Sequence, residues 1–310
     1  KVWEKVWEKV WEKVWEKVWG RKTAFLGCFG RWKVWNMEKT LIPPLKIDVI
    51  AKFQTFRAEN IARVRFDYSN LKFEEKWIRG SHGAEQLGMG MEALETVVIE
   101  PELEHQSTVV WLHGLGASGH DFEPIVPMLD CPNTRFVFPH APEIPVTINM
   151  DMIMPAWYDI KTLDWNSIDR EDEVSIRESA KLVIKLLEDE HSRGIPYDKI
   201  ILAGFSQGGA LALHVGVRYA HSLAGMMILS AYQLLSDTYD DESNNANKTT
   251  PILFCHGVFD DMVPVMMGRA ALDAMVKAGN PCEWNGYRMG HEVNLSELNR
   301  IKEWLQDALS

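Results

Sequence analysis

From Glu92 onward the chain alternates short, unbroken apolar runs with amphipathic stretches, a pattern few architectures accept. The runs are ETVVIEP, STVVWLHG, RFVFPHAP, KIILAGFS, AGMMILSAY, PILFCHG and CEWNGYRMGH. Between them stand EDEVSIRESAKLVIKLLEDEHSRG and GGALALHVGVRYA, and LSELNRIKEWLQDAL closes the chain. A short run that is apolar at nearly every position and rich in Ile, Val and Leu needs cover on both faces. Helices returning the chain between such runs supply that cover. The pattern therefore predicts an α/β fold, a mostly parallel central sheet with helices on both faces, over residues 91–310. In such sheets ligands gather at the carboxyl ends of the strands.

The first 90 residues read differently. Residues 1–19 repeat KVWE. On a helix a four-residue period advances about 40° per repeat, so the tryptophan row winds around the axis. On a strand each face mixes apolar with charged residues. Neither arrangement buries a clean face, so residues 1–36 are expected to be low-complexity sequence, disordered or an isolated helix; a membrane-surface role for the Trp and Lys is the alternative. Residues 37–90 show no sustained helical or strand period, contain a Pro-Pro break and end in the linker-like GSHGAEQLGMGM, so Met91 is a sensible start for the α/β part.

Charge separates the same two parts. Residues 1–90 hold 18 Lys and Arg against 11 Asp and Glu, a surplus of +7, which leaves −18 on the remainder of a −11 chain. The acidic part should avoid nucleic acid and anionic membranes. No run approaches the roughly 18 apolar residues of a membrane span. No charged start followed by an apolar stretch suggests a secretory signal. Cys28, Cys131, Cys255 and Cys282 lack the spacing of a zinc site or a disulfide framework. A reducing cytoplasm is the expected compartment.

One run ends in a chemical motif. Gly204-Phe205-Ser206-Gln207-Gly208 stands between a predicted strand and a predicted helix. A serine on so sharp a strand-to-helix turn has strained backbone, and side chains two residues to either side would collide; glycine removes them. Ser206 would then project above the sheet at a helix N-terminus, where free N–H groups favour developing negative charge. A hydroxyl also needs a base. Of the downstream histidines, His214 and His221 fall in or just after the elbow helix, and His256 precedes the acidic loop. His291, past the last predicted strand, has the position of a base. CHGVFDDMVP offers Asp260 and Asp261 to orient it, and spacing does not choose between them. Oxyanion donors are expected from the N–H of Gln207 and, in WLHGLGASGHDF, from the N–H of Leu115, with Gly114 and Gly116 letting the loop turn. His113, His120 and His140 lack ligand spacing, so neither a metal nor another cofactor is expected.

These motifs resemble the phospholipase/carboxylesterase (acyl-protein thioesterase-like) family of α/β-hydrolases. The matching pieces are VVWLHGLGASGHDF, FVFPHAPEIPVTIN, MPAWYDI, GFSQGGALAL, CHGVFDDMVP and YRMGHEV, in order across residues 92–310. The resemblance places the acid at Asp260 and supports Ser206, His291 and the amides of Leu115 and Gln207. It implies an α/β-hydrolase fold, a small-molecule ester or acylated substrate, and a homodimer. Ala117 stands where the family usually has Asp, and NMDMIM replaces a glycine-containing segment. Residues 1–90 have no counterpart. The methionine-rich stretch around Met154 and Trp157, with Val263 of the acid loop, is the expected substrate contact; core packing under a long loop is the alternative. The expected function is a serine hydrolase acting on carboxylic esters of short to medium acyl chains. Protein S-deacylation and lysophospholipase activity are near rivals, and a non-catalytic binding protein on the same fold is a rival of another kind.

Overall fold

A computed structural model of the chain describes residues 93–310, residue 168 apart, together with the backbone of four strands between residues 40 and 79. The KVWE repeat and the linker ending near Met91 lie outside the described residues. The chain divides into two units, Lys1–Gly88 and Met89–Ser310. In the first, Thr40–Ile42, Lys46–Thr55, Ala58–Asp67 and Lys72–Arg79 form an antiparallel sheet in chain order. This corrects the expectation that residues 37–90 carry no strand period. Ile47, Val49, Ala51 and Phe53 do alternate with Lys46, Asp48, Lys52 and Gln54, a period of two that the apolar Ile50 obscures. The register sets Ile47 opposite Phe66 and Val49 opposite Val64.

The second unit is built on seven strands: β1 (Thr96–Ile99), β2 (Ser107–Leu112), β3 (Thr134–Pro139), β4 (Ile200–Phe205), β5 (Gly225–Leu229), β6 (Ile252–Gly257) and β7 (Cys282–Tyr287). Their spatial order is β7-β6-β5-β4-β2-β3-β1. Only β1 runs antiparallel to its neighbour. Every residue of β2, β3, β5 and β6 is buried, whereas edge strand β1 is only partly so.

Within these apolar strands successive side chains serve opposite faces. Val110, Leu112, Leu202, Ile228 and Phe254 meet helices α1 (Glu173–Ser192), α2 (Gln207–Arg218) and α3 (Val265–Ala278) through Ile176, Val183, Leu187, Leu211, Ala271 and Met275. Val109, Trp111, Ile201, Met227 and Leu253 meet α4 (Leu295–Leu309) through Leu298, Ile301, Trp304 and Leu305. The sheet is thus covered on both faces, as the runs require. Local chemistry marks the helix ends. The Asp172 side chain accepts the Ser175 N–H before α1, Asn294 accepts the Glu297 N–H before α4, and Gly279 (φ 97°) follows α3.

A hairpin, Glu143–Val146 with Met152–Pro155, stands apart from the main sheet. Its turn passes through Met150 and Asp151, both at positive φ (58° and 54°). Glycine is the residue such backbone favours. Among the described residues no helix is long and apolar enough to cross a membrane.

Candidate active site

Ser206 lies at the carboxyl end of β4 and caps α2 with φ 55° and ψ −121°. This sparsely populated conformation costs on the order of 1–3 kcal/mol, which the surrounding structure must supply. The glycines make the turn possible. A Cβ at Gly204 would overlap the Gly208 carbonyl and stand 2.6 Å from the Gly209 nitrogen, and one at Gly208 would overlap the Leu112 and His113 carbonyls. The Ser206 N–H is held by the Leu229 carbonyl of β5 at 2.8 Å.

Two further loops converge on this turn. Asp260 follows β6, and His291 lies between β7 and α4. The loops remain zipped together beyond the strand ends: Val258 donates to the Tyr287 carbonyl (2.8 Å) and Phe259 to that of Met289 (3.0 Å). His291 Nε2 stands 2.8 Å from Ser206 Oγ, and its Nδ1 stands 2.7 Å from Asp260 Oδ2. The imidazole also packs against Phe205, ring centroids 4.8 Å apart.

Asp260 is buried, whereas Asp261 is exposed. Asp260 Oδ1 accepts the N–H groups of Met262 (3.0 Å) and Val263 (2.8 Å), leaving Oδ2 for His291. Burial alone would raise its pKa. The hydrogen bonds from His291 and the Val263 N–H, with the nearby imidazoles, outweigh burial and hold the carboxyl below its usual range.

Gln207 is the first residue of α2, so its N–H has no carbonyl behind it in the helix. Leu115 lies in the loop after β2. Gly114 abuts the elbow, since a Cβ there would stand 3.4 Å from Ser206 Cβ. Gly116 turns at φ 72° and ties this loop to the hairpin through the Pro155 carbonyl (2.8 Å). Ala117 closes the turn with its N–H on the Gly114 carbonyl (3.2 Å), and Asp121 takes both the N–H and hydroxyl of Ser118 at 3.0 Å.

Two of the expected substrate contacts need correction. Trp157 is fully buried, its indole N–H donated to the His113 carbonyl at 2.8 Å. Val263 is buried too, its N–H on Asp260 and its carbonyl on His256 Nε2 (2.9 Å). Both lie beneath the site as supports, because their polar atoms are spent on the loops they brace. Met154 is half-buried, 3.8 Å from the position a Cβ would take on Gly116. Met150, Met152 and Ile153 of the hairpin are exposed, as are Phe259, Met262 and Met266 beside the acid loop.

Sequence reasoning misses other supports. The Gln207 side chain is buried, accepting the Trp157 N–H at 2.9 Å and donating to the Tyr158 carbonyl at 2.7 Å. His256, in β6, stacks on Trp284 and lies 3.6 Å from Asp260 Oδ2. In the sequence His256 reads only as a base out of order. Its place one residue before Gly257, at the end of a buried strand, is the available signal.

The sequence profile described as phospholipase/carboxylesterase matches residues 94–309. An acyl-protein thioesterase 1 of Gibberella zeae is 37% identical over 216 residues, spanning 66% of this chain and 92% of the relative. A probable carboxylesterase of Oryza sativa subsp. japonica is 34% identical over 209 residues, spanning 66% and 79%. Among solved structures, Arabidopsis thaliana SOBER1 superposes with a TM-score of 0.62 at 34% identity, over 66% of this chain and all (100%) of that one. Acyl-protein thioesterase 2 of Zea mays superposes with a TM-score of 0.63 at 28% identity, over 70% and 99%. With that profile spanning residues 94–309 and relatives more than 30% identical over 79% to 92% of their length, the chain belongs to the phospholipase/carboxylesterase family of α/β-hydrolases.

Proposed function

We propose that this chain is a serine hydrolase that cleaves carboxylic esters of short to medium acyl chains through an acyl-enzyme, with Ser206, His291 and Asp260 as its catalytic residues. The observation that carries the proposal is the continuous hydrogen-bonded line from Ser206 Oγ through the His291 ring to Asp260. His291 Nε2 takes the hydroxyl proton as Oγ bonds to the substrate carbonyl carbon. Negative charge develops on the carbonyl oxygen, which the N–H groups of Leu115 and Gln207 receive. Asp260 keeps the Nδ1 proton in place and stabilises the imidazolium. The imidazolium then protonates the departing alkoxide or thiolate, and the carbon–oxygen or carbon–sulfur bond breaks. Water, deprotonated by the same ring, attacks the acyl-serine, releases the carboxylic acid and returns the proton to Oγ.

A second reading, hydrolysis of protein-bound acyl thioesters, is favoured by the fungal and maize relatives named acyl-protein thioesterases. The exposed methionines of the hairpin suit a flexible acyl chain under either reading. Rates on p-nitrophenyl esters of graded length, set beside a palmitoylated peptide, separate the two. Ser206→Ala should lower kcat by at least roughly a thousandfold, and wild-type turnover in that variant would refute the assignment. A non-catalytic member of the fold would leave a fluorophosphonate probe unattached. A cytoplasmic location is proposed on the sequence alone, whose four cysteines have the spacing of neither a zinc site nor a disulfide framework. A homodimer is proposed on the family resemblance and is tested by sedimentation.

A further inference from the structure

We infer that His113 is a positioning residue for this hydrolysis: its ring holds the Gly114 carbonyl so that the Leu115 N–H, in the same peptide plane, faces the substrate oxygen. The inference rests on the reading of Ser206 as nucleophile and Leu115 as oxyanion donor.

In a trans peptide the C=O and the following N–H point in opposite directions within one rigid plane. Fixing the Gly114 oxygen therefore fixes the direction of the Leu115 N–H. Two groups hold that oxygen: His113 Nδ1 at 2.7 Å and the Ala117 N–H at 3.2 Å. The ring's other nitrogen decides which proton it carries. Nε2 accepts the Ala141 N–H at 3.0 Å, so it is unprotonated and Nδ1 is the donor. The preceding peptide is pinned as well, since the Trp157 indole N–H donates to the His113 carbonyl at 2.8 Å. Both peptide planes flanking Gly114 are thus held from their oxygen side, at a residue with no side chain of its own to hold it.

A buried apolar side chain would fill this space without the cost of removing an imidazole from water. The ring instead commits both nitrogens to main chain, one on the oxyanion loop and one on the segment after β3. Its neutrality matters, because an imidazolium would set an N–H against the Ala141 N–H. Burial, partly offset by the Gly114 carbonyl, lowers its pKa and keeps it neutral.

Two substitutions separate positioning from packing. Asn places an amide nitrogen near Nδ1 and keeps the bond to Gly114; Gln reaches toward Nε2 and keeps the contact with Ala141. Each loses one main-chain hydrogen bond, so their losses of stability should be similar. His113→Gln should lower kcat by roughly 10- to 100-fold with KM within about threefold, somewhat less than outright loss of an oxyanion donor. His113→Asn should stay within about fivefold of wild type. Equal losses in both, or a His113→Gln variant within about threefold of wild-type kcat, would overturn the inference. Should either variant fail to fold, nitrogen-15 shifts of the wild-type imidazole decide. A proton on Nδ1 supports the proposal, and one on Nε2 defeats it. A fully active His113→Gln beside an inactive Ser206→Ala sinks this inference alone, whereas an active Ser206→Ala sinks the reading beneath it.

Discussion

Replacing Glu297 with glutamine should change how stability responds to pH. Glu297 is the third residue of α4 and is fully buried. Burial pushes its pKa up from an ordinary 4.5 to about 8, and the nearby Asn294 main-chain N–H offsets this only in part. The carboxyl is therefore protonated in the fold at neutral pH and ionised in the unfolded chain. Between those two pH values the unfolded state binds fewer protons, so stability is complete below about 4.5 and falls as pH rises toward about 8. At about 1.4 kcal/mol per pH unit, the whole interval amounts to roughly 5 kcal/mol.

The glutamine variant has no such slope. It buries an uncharged amide at every pH, as wild type in acid buries an uncharged carboxyl. Wild type and variant should therefore be similarly stable in acid, and the variant should become increasingly the more stable as pH rises toward about 8. Urea midpoints of the full chain, followed through residual p-nitrophenyl ester hydrolysis, report on the second unit without interference from the first. Buried histidines such as His214, whose pKa burial pushes down to about 3, produce the opposite slope below neutrality. They are common to both proteins and cancel in the difference. Parallel curves for wild type and variant from pH 4.5 to 8.5 would refute the reasoning.

Asp260→Asn should lower kcat by roughly a thousandfold or more, because an amide misdirects the His291 proton; Asp261→Asn, at an exposed position, should stay within about twofold, and equal effects would reverse the choice of acid. Met150 holds a left-handed conformation that costs a non-glycine residue about 1 kcal/mol, so Met150→Gly should raise the melting temperature by a few degrees, and a fall would show that the Met150 side chain contributes more than its backbone strain costs.

The five inner strands, β2 to β6, are legible because burial on both faces leaves little choice of residue: STVVWL and PILFC can hardly be anything else in a globular domain. The helix Val265–Ala278 is harder to read, although Pro264 and Gly279 frame it and Gly268, Ala271, Leu272 and Met275 repeat at helical spacing. Met266 and Met267 resemble substrate lining and hide the period. Trp157 is misplaced by sequence for a more basic reason. A tryptophan beside a methionine-rich loop has the same spelling whether it faces a ligand or the underside of the loop, and only the fold shows which.

Ser206, Asp260 and His291 can be found because each sits where a strand runs out, in a motif whose spacing the chemistry restricts. Their supports carry no such mark. His113, Gln207 and His256 act on main-chain atoms, and a main-chain partner leaves no trace in residue identity. Gln207 shows the consequence. In GFSQG the glutamine reads as the spacer after the nucleophile, chosen for its N–H, which any residue but proline would supply. Its side chain meanwhile closes two hydrogen bonds with Trp157 and Tyr158, and Trp157 in turn holds the His113 carbonyl. The two segments proposed to carry the oxyanion donors are thus braced by one buried tryptophan. A substitution at Trp157 should therefore loosen the His113 carbonyl and the Leu115 loop directly and leave the main-chain bonds of Gln207 in place, although the indole reaches no solvent from which a substrate could touch it.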